Sequence, residues 1–296
     1  MPFAGELSAL LTALLWSGTS IAFTEASIRV GSVTVNMTRL ILALVYLLIT
    51  ILLMGGTPHL SGTQVLNLSI SGLIGLVFGD TYLFKAYQHI GARISMLMMS
   101  LAPPISAVLA YFVLGETVSL LGILGILITI TGIALVVLTR KENPTSDYKI
   151  SKVGIFYAFL GAVGQAAGLI FAKLAFNEGE IDGFTATFIR IFASALVMYP
   201  VLLLANVYRP PIKTYLKNKK AFVFTVVGSI IGPYLGITFS LIAIKYTKIG
   251  IAATLMATVP IIMLPLVRYY YKEKLSASSV IGAVLAVAGI AILFLK

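Results

Sequence analysis

The chain has no cysteine, only two histidines, and charged residues at just 10% of its 296 positions. The missing cysteines exclude a disulfide scaffold, a cysteine-ligated zinc site and an iron–sulfur cluster. The two histidines, His59 and His89, stand thirty residues apart with no HExxH spacing, so no metal site and no cofactor are expected. There is no Walker A loop, no nucleophile–histidine context and no aspartate pair at catalytic spacing. No catalytic residue is assigned. An intramembrane enzyme remains as a competing reading in another class, beside a channel.

Present in excess is apolar surface. Hydrophobic residues make up 59% of the sequence and the mean hydropathy is +1.04. A soluble domain has roughly 45–50% apolar and about 25% charged residues. A bilayer resolves the excess, because about 20 apolar residues span it as a helix. The net charge of +11 reads as basic residues gathered in cytoplasmic loops, with no nucleic acid as partner. Ten apolar runs stand between charged or Gly/Pro/Asn punctuation. They cover roughly 6–27, 33–54, 65–88, 94–113, 118–139, 153–176, 184–206, 222–244, 249–268 and 276–295. Glu6, where the first run begins, is the only charge near its start, with no basic leader, and the run is read as a retained helix. The fold class is therefore all-α integral membrane, with ten transmembrane helices.

The polar stretch 140–152 divides the chain into a first unit, 1–139, and a second, 153–296. The halves resemble each other at an offset of 157. Pro103 meets Pro260, Glu116 meets Glu273, Ser119 meets Ser276, Gly125 meets Gly282, and Gly132 meets Gly289. Gly75 and Gly79 likewise meet Gly232 and Gly236, and at a smaller offset Arg39 meets Arg190. Five helices per half is an odd number, so the second repeat enters the membrane from the opposite side. Inverted repeats are a carrier architecture with the substrate near the midplane. With the amino terminus outside, 14 of 21 Lys and Arg fall in cytoplasmic loops and three outside. The expectation is a multi-pass cell-membrane protein with both termini outside.

The repeated segments LGETVSLLG (114–122) and YKEKLSASS (271–279), each following a proline-bearing helix, resemble the drug/metabolite transporter superfamily, specifically its EamA family. The Gly-spaced closing helices GILGILITITGIALVV and GAVLAVAGIAILFL, with MTRLILALVYLL (37–48) and FIRIFASALVMYP (188–200), carry the same resemblance. It covers essentially the whole chain. It implies two inverted five-helix EamA-like repeats and secondary export of amino acids or other small metabolites. Carriers of nucleotide sugars, lipid-linked or drug-like substrates are the alternative within transport. A functional monomer, possible proton coupling and contact with the lipid bilayer complete the expectation.

Asp80 stands inside the third helix, where a carboxylate costs ~2.5–3.5 kcal/mol on insertion scales. It is read as a proton-coupling or substrate-ammonium site, against a plain ion pair with Lys85. Arg39 and Arg190 are anion-anchor candidates because a guanidinium offers a bidentate fork. The competing reading, which is preferred, is snorkelling from opposite sides of the membrane. Glu25 and Lys173 occupy matching helix ends and are read as solvated. Glu116 and Glu273 are read as caps of the helices that follow them. Pro103, Pro104 and Pro260 are hinge or cavity-wall candidates. Gly75, Gly79, Gly228, Gly232 and Gly236 are read as close helix packing. Trp16, Ser17, Tyr82, Met96, Met99, Gln165, Tyr234 and Met256 are candidate cavity wall.

Overall fold

The structure, a computed structural model, describes residues 3–54, 60–115, 117–139, 151–205, 211–246 and 249–294. Every regular element among them is helical. The first half runs α1 (Ala4–Val30), α2 (Ser32–Met54), α3 (Gly62–Gly72), a π-helical stretch π1 (Leu73–Gly79), α4 (Asp80–Met99), α5 (Ala102–Leu114) and α6 (Leu120–Thr139). The second half runs α7 (Lys152–Asn177), α8 (Gly183–Leu204), a short α9 (Pro211–Lys217), α10 (Lys219–Ser229), π2 (Ile230–Gly236), α11 (Ile237–Tyr246), α12 (Ile249–Met256), α13 (Val259–Tyr270) and α14 (Ala277–Leu293). Among the described residues, eight helices are long and apolar enough to cross a membrane, and Ala102–Leu114 and Ala277–Leu293 are shorter apolar helices. The chain is an all-α multi-pass membrane protein.

Helix starts follow local chemistry. Ser61, Ser151, Asp182, Asn218 and Ser276 each accept a hydrogen bond from the backbone N–H three residues on. Ser119 Oγ accepts from Gly122 N–H at 3.1 Å in the same way, at the repeat position of Ser276. The capping role expected of Glu273 therefore falls to Ser276. Glu116, like most of the stretch 140–152, lies outside the described residues.

The fourth and ninth spans depart from the expected single helices. Each is two half-helices, broken at Ser100–Leu101 and at Ala257–Thr258. Pro103 and Pro260 stand in the first turn of α5 and α13, where the amide they lack would have no intrahelical partner. The break thus precedes the prolines. The third span ends at Gly91, whose φ of 72° turns the chain back into the fourth.

Glycine sets the distances between spans. A Cβ on Gly164 would lie 2.6 Å from Gly79 Cα, and one on Gly168 3.1 Å from Gly75 Cα. The sixth span therefore meets the third backbone to backbone, as small residues allow in a membrane. In the second half the glycines instead receive side chains of the first span, Gly228 against Phe23, Gly232 against Thr19 and Gly236 against Trp16. Each half thus lends its opening helix to the other half's π-bearing helix. The fifth and tenth spans close on each other at Gly125 against Gly289 and Gly132 against Gly282.

Candidate functional site

The two π-helical stretches occupy equivalent places at the offset of 157, and each ends one residue before a side chain that faces the interior. Asp80 N–H reaches back to Gly75 C=O, and Ile237 N–H to Gly232 C=O, so both are held by the wider turn. Wide turns of this kind are rare and frequently mark functional positions. Between the halves lies a cavity of about 220 Å³, with Trp16, Phe23, Phe84, Met256 and Pro260 on its wall. Its polar centre is Asp80, Arg39, Gln165 and Arg190.

Asp80 is 6% exposed and accepts from Arg39 through one oxygen and from Gln165 Nε2 at 2.6 Å through the other. Gln165 also donates to Gly75 C=O at 3.2 Å. Arg39 donates from Nε to Asn36 Oδ1 at 2.9 Å, and its guanidinium stands 4.9 Å from the Phe84 ring centroid. Asn36 in turn donates to Thr81 Oγ1 and Leu76 C=O. The network is closed: each member is fixed by another, which a buried charge requires. Arg190 differs. It is 4% exposed, its Nε has no hydrogen-bond partner, and Asp80 is the carboxylate whose field reaches it.

Several expectations change here. Asp80 pairs with Arg39, not with Lys85. One helical turn and a half separates Asp80 from Lys85, so Lys85 projects elsewhere, over the rings of Tyr82 and Tyr157 at 5.2 and 5.5 Å. Arg39 and Arg190 do not snorkel to opposite faces; both line the one cavity. Each is the eighth residue of its helix, roughly 10 Å in from its own side at 1.5 Å per residue. In a core about 30 Å thick their backbones then differ in depth by only ~10 Å, within reach of two long side chains.

Trp16, Met96, Met99, Gln165, Met256, Pro103 and Pro260 also face the cavity. Ser17, Tyr82, Lys85, Tyr234 and Pro104 do not line it. Ser17 bonds Ala13 C=O, and Tyr234 packs on Tyr46 and exchanges a hydrogen bond with Thr50 at 2.8 Å. Thr19, Phe23, Phe84, Tyr87 and Ser100 line it without having been singled out. Their types are ordinary for packed helices, and only helix rotation exposes them. Among the described residues no group of three or more His, Cys, Asp or Glu could hold a metal ion.

On the side of the 140–152 stretch, Arg93 Nε donates to Glu273 Oε2 at 2.9 Å and joins the two halves. Nearby Glu25 pairs with Arg29 four residues along, and Gln88 donates to Ser27 C=O at 2.6 Å. Glu25 is therefore engaged and 8% exposed, not a solvated helix end. Toward the side of the amino terminus the cavity wall continues to Ile244, two residues before the end of α11, and to Ala253, midway along α12.

Among the described residues, two halves of apolar helices enclose a cavity lined from both, which is the build of a membrane carrier. The profile described as "EamA-like transporter family" matches residues 3–138 and 152–295, and the chain belongs to that family. A probable magnesium transporter NIPA7 of Arabidopsis thaliana is 30% identical over 109 residues, 36% of this chain and 33% of that protein. An uncharacterized transporter, YxxF, of Bacillus subtilis (strain 168) is 25% identical over 127 residues, 43% and 39% of the two chains. The matched stretches thus span between a third and two fifths of these relatives. A solved crystal structure shares the fold at TM-score 0.70 and 16% identity, covering 99% of this chain and 96% of its own.

Proposed function

We propose that this protein is a secondary transporter of the cell membrane that moves small metabolites, amino acids or related compounds, by alternating access between its two repeats. The observation that carries the reading is the cavity at the seam of the halves, with residues of both repeats on its wall and a charged cluster at its centre. At about 220 Å³ it lies below the ~300–1,000 Å³ of ordinary drug-sized ligand pockets. That suits a small metabolite and is small for a nucleotide sugar or a lipid-linked precursor. The Arg93–Glu273 bridge supports a state shut toward the linker side, while the wall reaching Ile244 and Ala253 supports access from the other. Placing the basic linker side in the cytoplasm puts both termini outside. One chain holds the whole pathway, so a monomer suffices. Asp80 is the group through which a proton would couple.

The similarity to a probable magnesium transporter suggests a second reading, a divalent-cation carrier. Magnesium takes six oxygens in near-ideal octahedral geometry and is usually held through carboxylates. This cavity offers one carboxylate, already accepting from Arg39 and Gln165, and two guanidinium groups. The charge favours the organic-solute reading.

The test is counterflow in liposomes with a panel of labelled amino acids and their deaminated acids, with and without a pH gradient. Saturable, trans-stimulated uptake of one class supports a carrier. Non-saturating flux would indicate a channel, and magnesium-stimulated flux with no organic counterflow would favour the cation reading. Chemical conversion of a solute without net movement would instead revive the enzyme reading.

A further inference from the structure

The two halves differ where their symmetry leads one to expect a match. Arg39 and Arg190 occupy the same position of the second helix of each repeat. In the first half the arginine is served twice: Asp80 meets its charge and Asn36, three residues back, accepts from its Nε. In the second half both services are missing. The position equivalent to Asp80, after the second π-helical stretch, is Ile237. The position equivalent to Asn36 is Thr187, whose hydroxyl donates to Gly183 C=O at 2.7 Å. Arg190 is left 96% buried by residue area, with a bare Nε, on the cavity wall. Thr19 Oγ1, also on that wall, is likewise buried without a hydrogen-bond partner.

The charge count agrees. Arg39, Arg190 and Asp80 together leave one positive charge on a cavity walled mainly by aromatic, aliphatic and methionine side chains. A buried charge without a partner is costly, and a buried guanidinium with a free N–H costs more. Asp80 spends its side-chain hydrogen bonds on Arg39 and Gln165 and makes none to Arg190, which it reaches only through its field.

We infer that Arg190 is the anchor for the substrate's carboxylate, and that the preferred cargo is a small monoanion with an apolar body, bound in place of the counter-ion that Ile237 does not supply. The carboxylate fits the planar fork of the guanidinium. The apolar remainder lies against Trp16, Met99 and Met256. A zwitterion would leave the cluster's positive charge uncompensated and its own ammonium without a free carboxylate, so deaminated acids bind ahead of their amino acids. A cation is repelled. The inference rests on the carrier reading and narrows its substrate class.

The experiment uses the full chain in lipid nanodiscs and in proteoliposomes. The probes share one carbon skeleton: isocaproate (anion), isocaproamide (neutral), leucine (zwitterion) and leucinamide (cation). Binding is read as thermal stabilisation in nanodiscs, and transport as counterflow in proteoliposomes. The expected order is isocaproate first, leucine weaker, and the other two without effect. Arg190→Gln should weaken isocaproate binding at least tenfold, the scale of a lost charge-assisted hydrogen bond, and Arg190→Lys should recover part of it. The wild-type order stands as a test even where Arg190→Gln does not fold. Absence of isocaproate binding, equal binding of isocaproamide, or isocaproate binding unchanged in Arg190→Gln overturns the inference. Counterflow of leucinamide or leucine without isocaproate keeps the carrier and refutes the anion site. Isocaproate binding through Arg190 without any counterflow keeps the site and refutes the carrier.

Discussion

The Arg39–Asp80 pair gives the sharpest quantitative test of the interior. The two side chains are 3% and 9% exposed, so the pair is desolvated. Removing one partner of such a pair leaves an uncompensated charge and costs about 3–5 kcal/mol. Asp80→Asn does more than orphan Arg39. It also removes the one carboxylate whose field reaches Arg190, leaving two unopposed guanidinium groups around the cavity. Arg39→Gln, by contrast, leaves Asp80 with Gln165 as donor and Arg190 as a remaining cation. Asp80→Asn is therefore expected at or above the upper end of that range and Arg39→Gln near the lower end. The double variant restores the original net charge and should recover most of the loss. At about 2–4 °C per kcal/mol, a single-variant loss of 3–5 kcal/mol corresponds to roughly 6–20 °C in unfolding temperature, read in nanodiscs. The coupling from the double-mutant cycle should exceed ~1.5 kcal/mol. Two small, additive single effects would refute the argument, because they would mean that water screens the pair.

Four further outcomes are expected. Gly164→Val places side-chain carbon where Gly79 backbone already stands, at 2.6 Å from its Cα, and should cost about 1–3 kcal/mol or more and abolish transport by drawing Gln165 off Asp80. Gly62→Ala, with nothing within 4 Å, is its neutral control. Charge reversal at Arg93 or Glu273 alone should raise thiol labelling of a Met96→Cys probe from the linker side, and reversing both should suppress it again. Ser276→Ala removes the hydrogen bond to Ser279 N–H and should cost about 1 kcal/mol in thermal unfolding while leaving the transported substrate class unchanged. Lys85→Met, off the cavity, should change transport by no more than about twofold and stability by roughly 0.5–1 kcal/mol through its lost ring contacts.

The apolar segments and their pairing into two repeats were readable because lipid imposes a one-dimensional rule. Any stretch of about 20 apolar residues must become a helix, whatever its neighbours do. Repeated Gly, Pro and Ser positions were readable as a pattern, and Gly125 and Gly289 let backbones touch as their residue type dictates, but the caps were assigned to Glu116 and Glu273, whereas Ser119 and Ser276 make them. What the sequence left open were relations across the bundle. Asp80 was visible as a buried carboxylate, but its partner sits 41 residues away on another helix, and proximity along the chain pointed to Lys85. The two π-helical stretches decide which way Asp80 and Ile237 face; IIGPYLG holds Pro233, a local helix-disrupting residue, but the equivalent LIGLVFG has no proline and forms the same wider turn. The burial of Arg190 beside Gly75 likewise depends on how closely the glycine-lined helices approach. Lipid solvation acts on each segment by itself, so composition determined the spans. The rotation and contact of those segments are set by shape complementarity between them, and that exists only once they are packed.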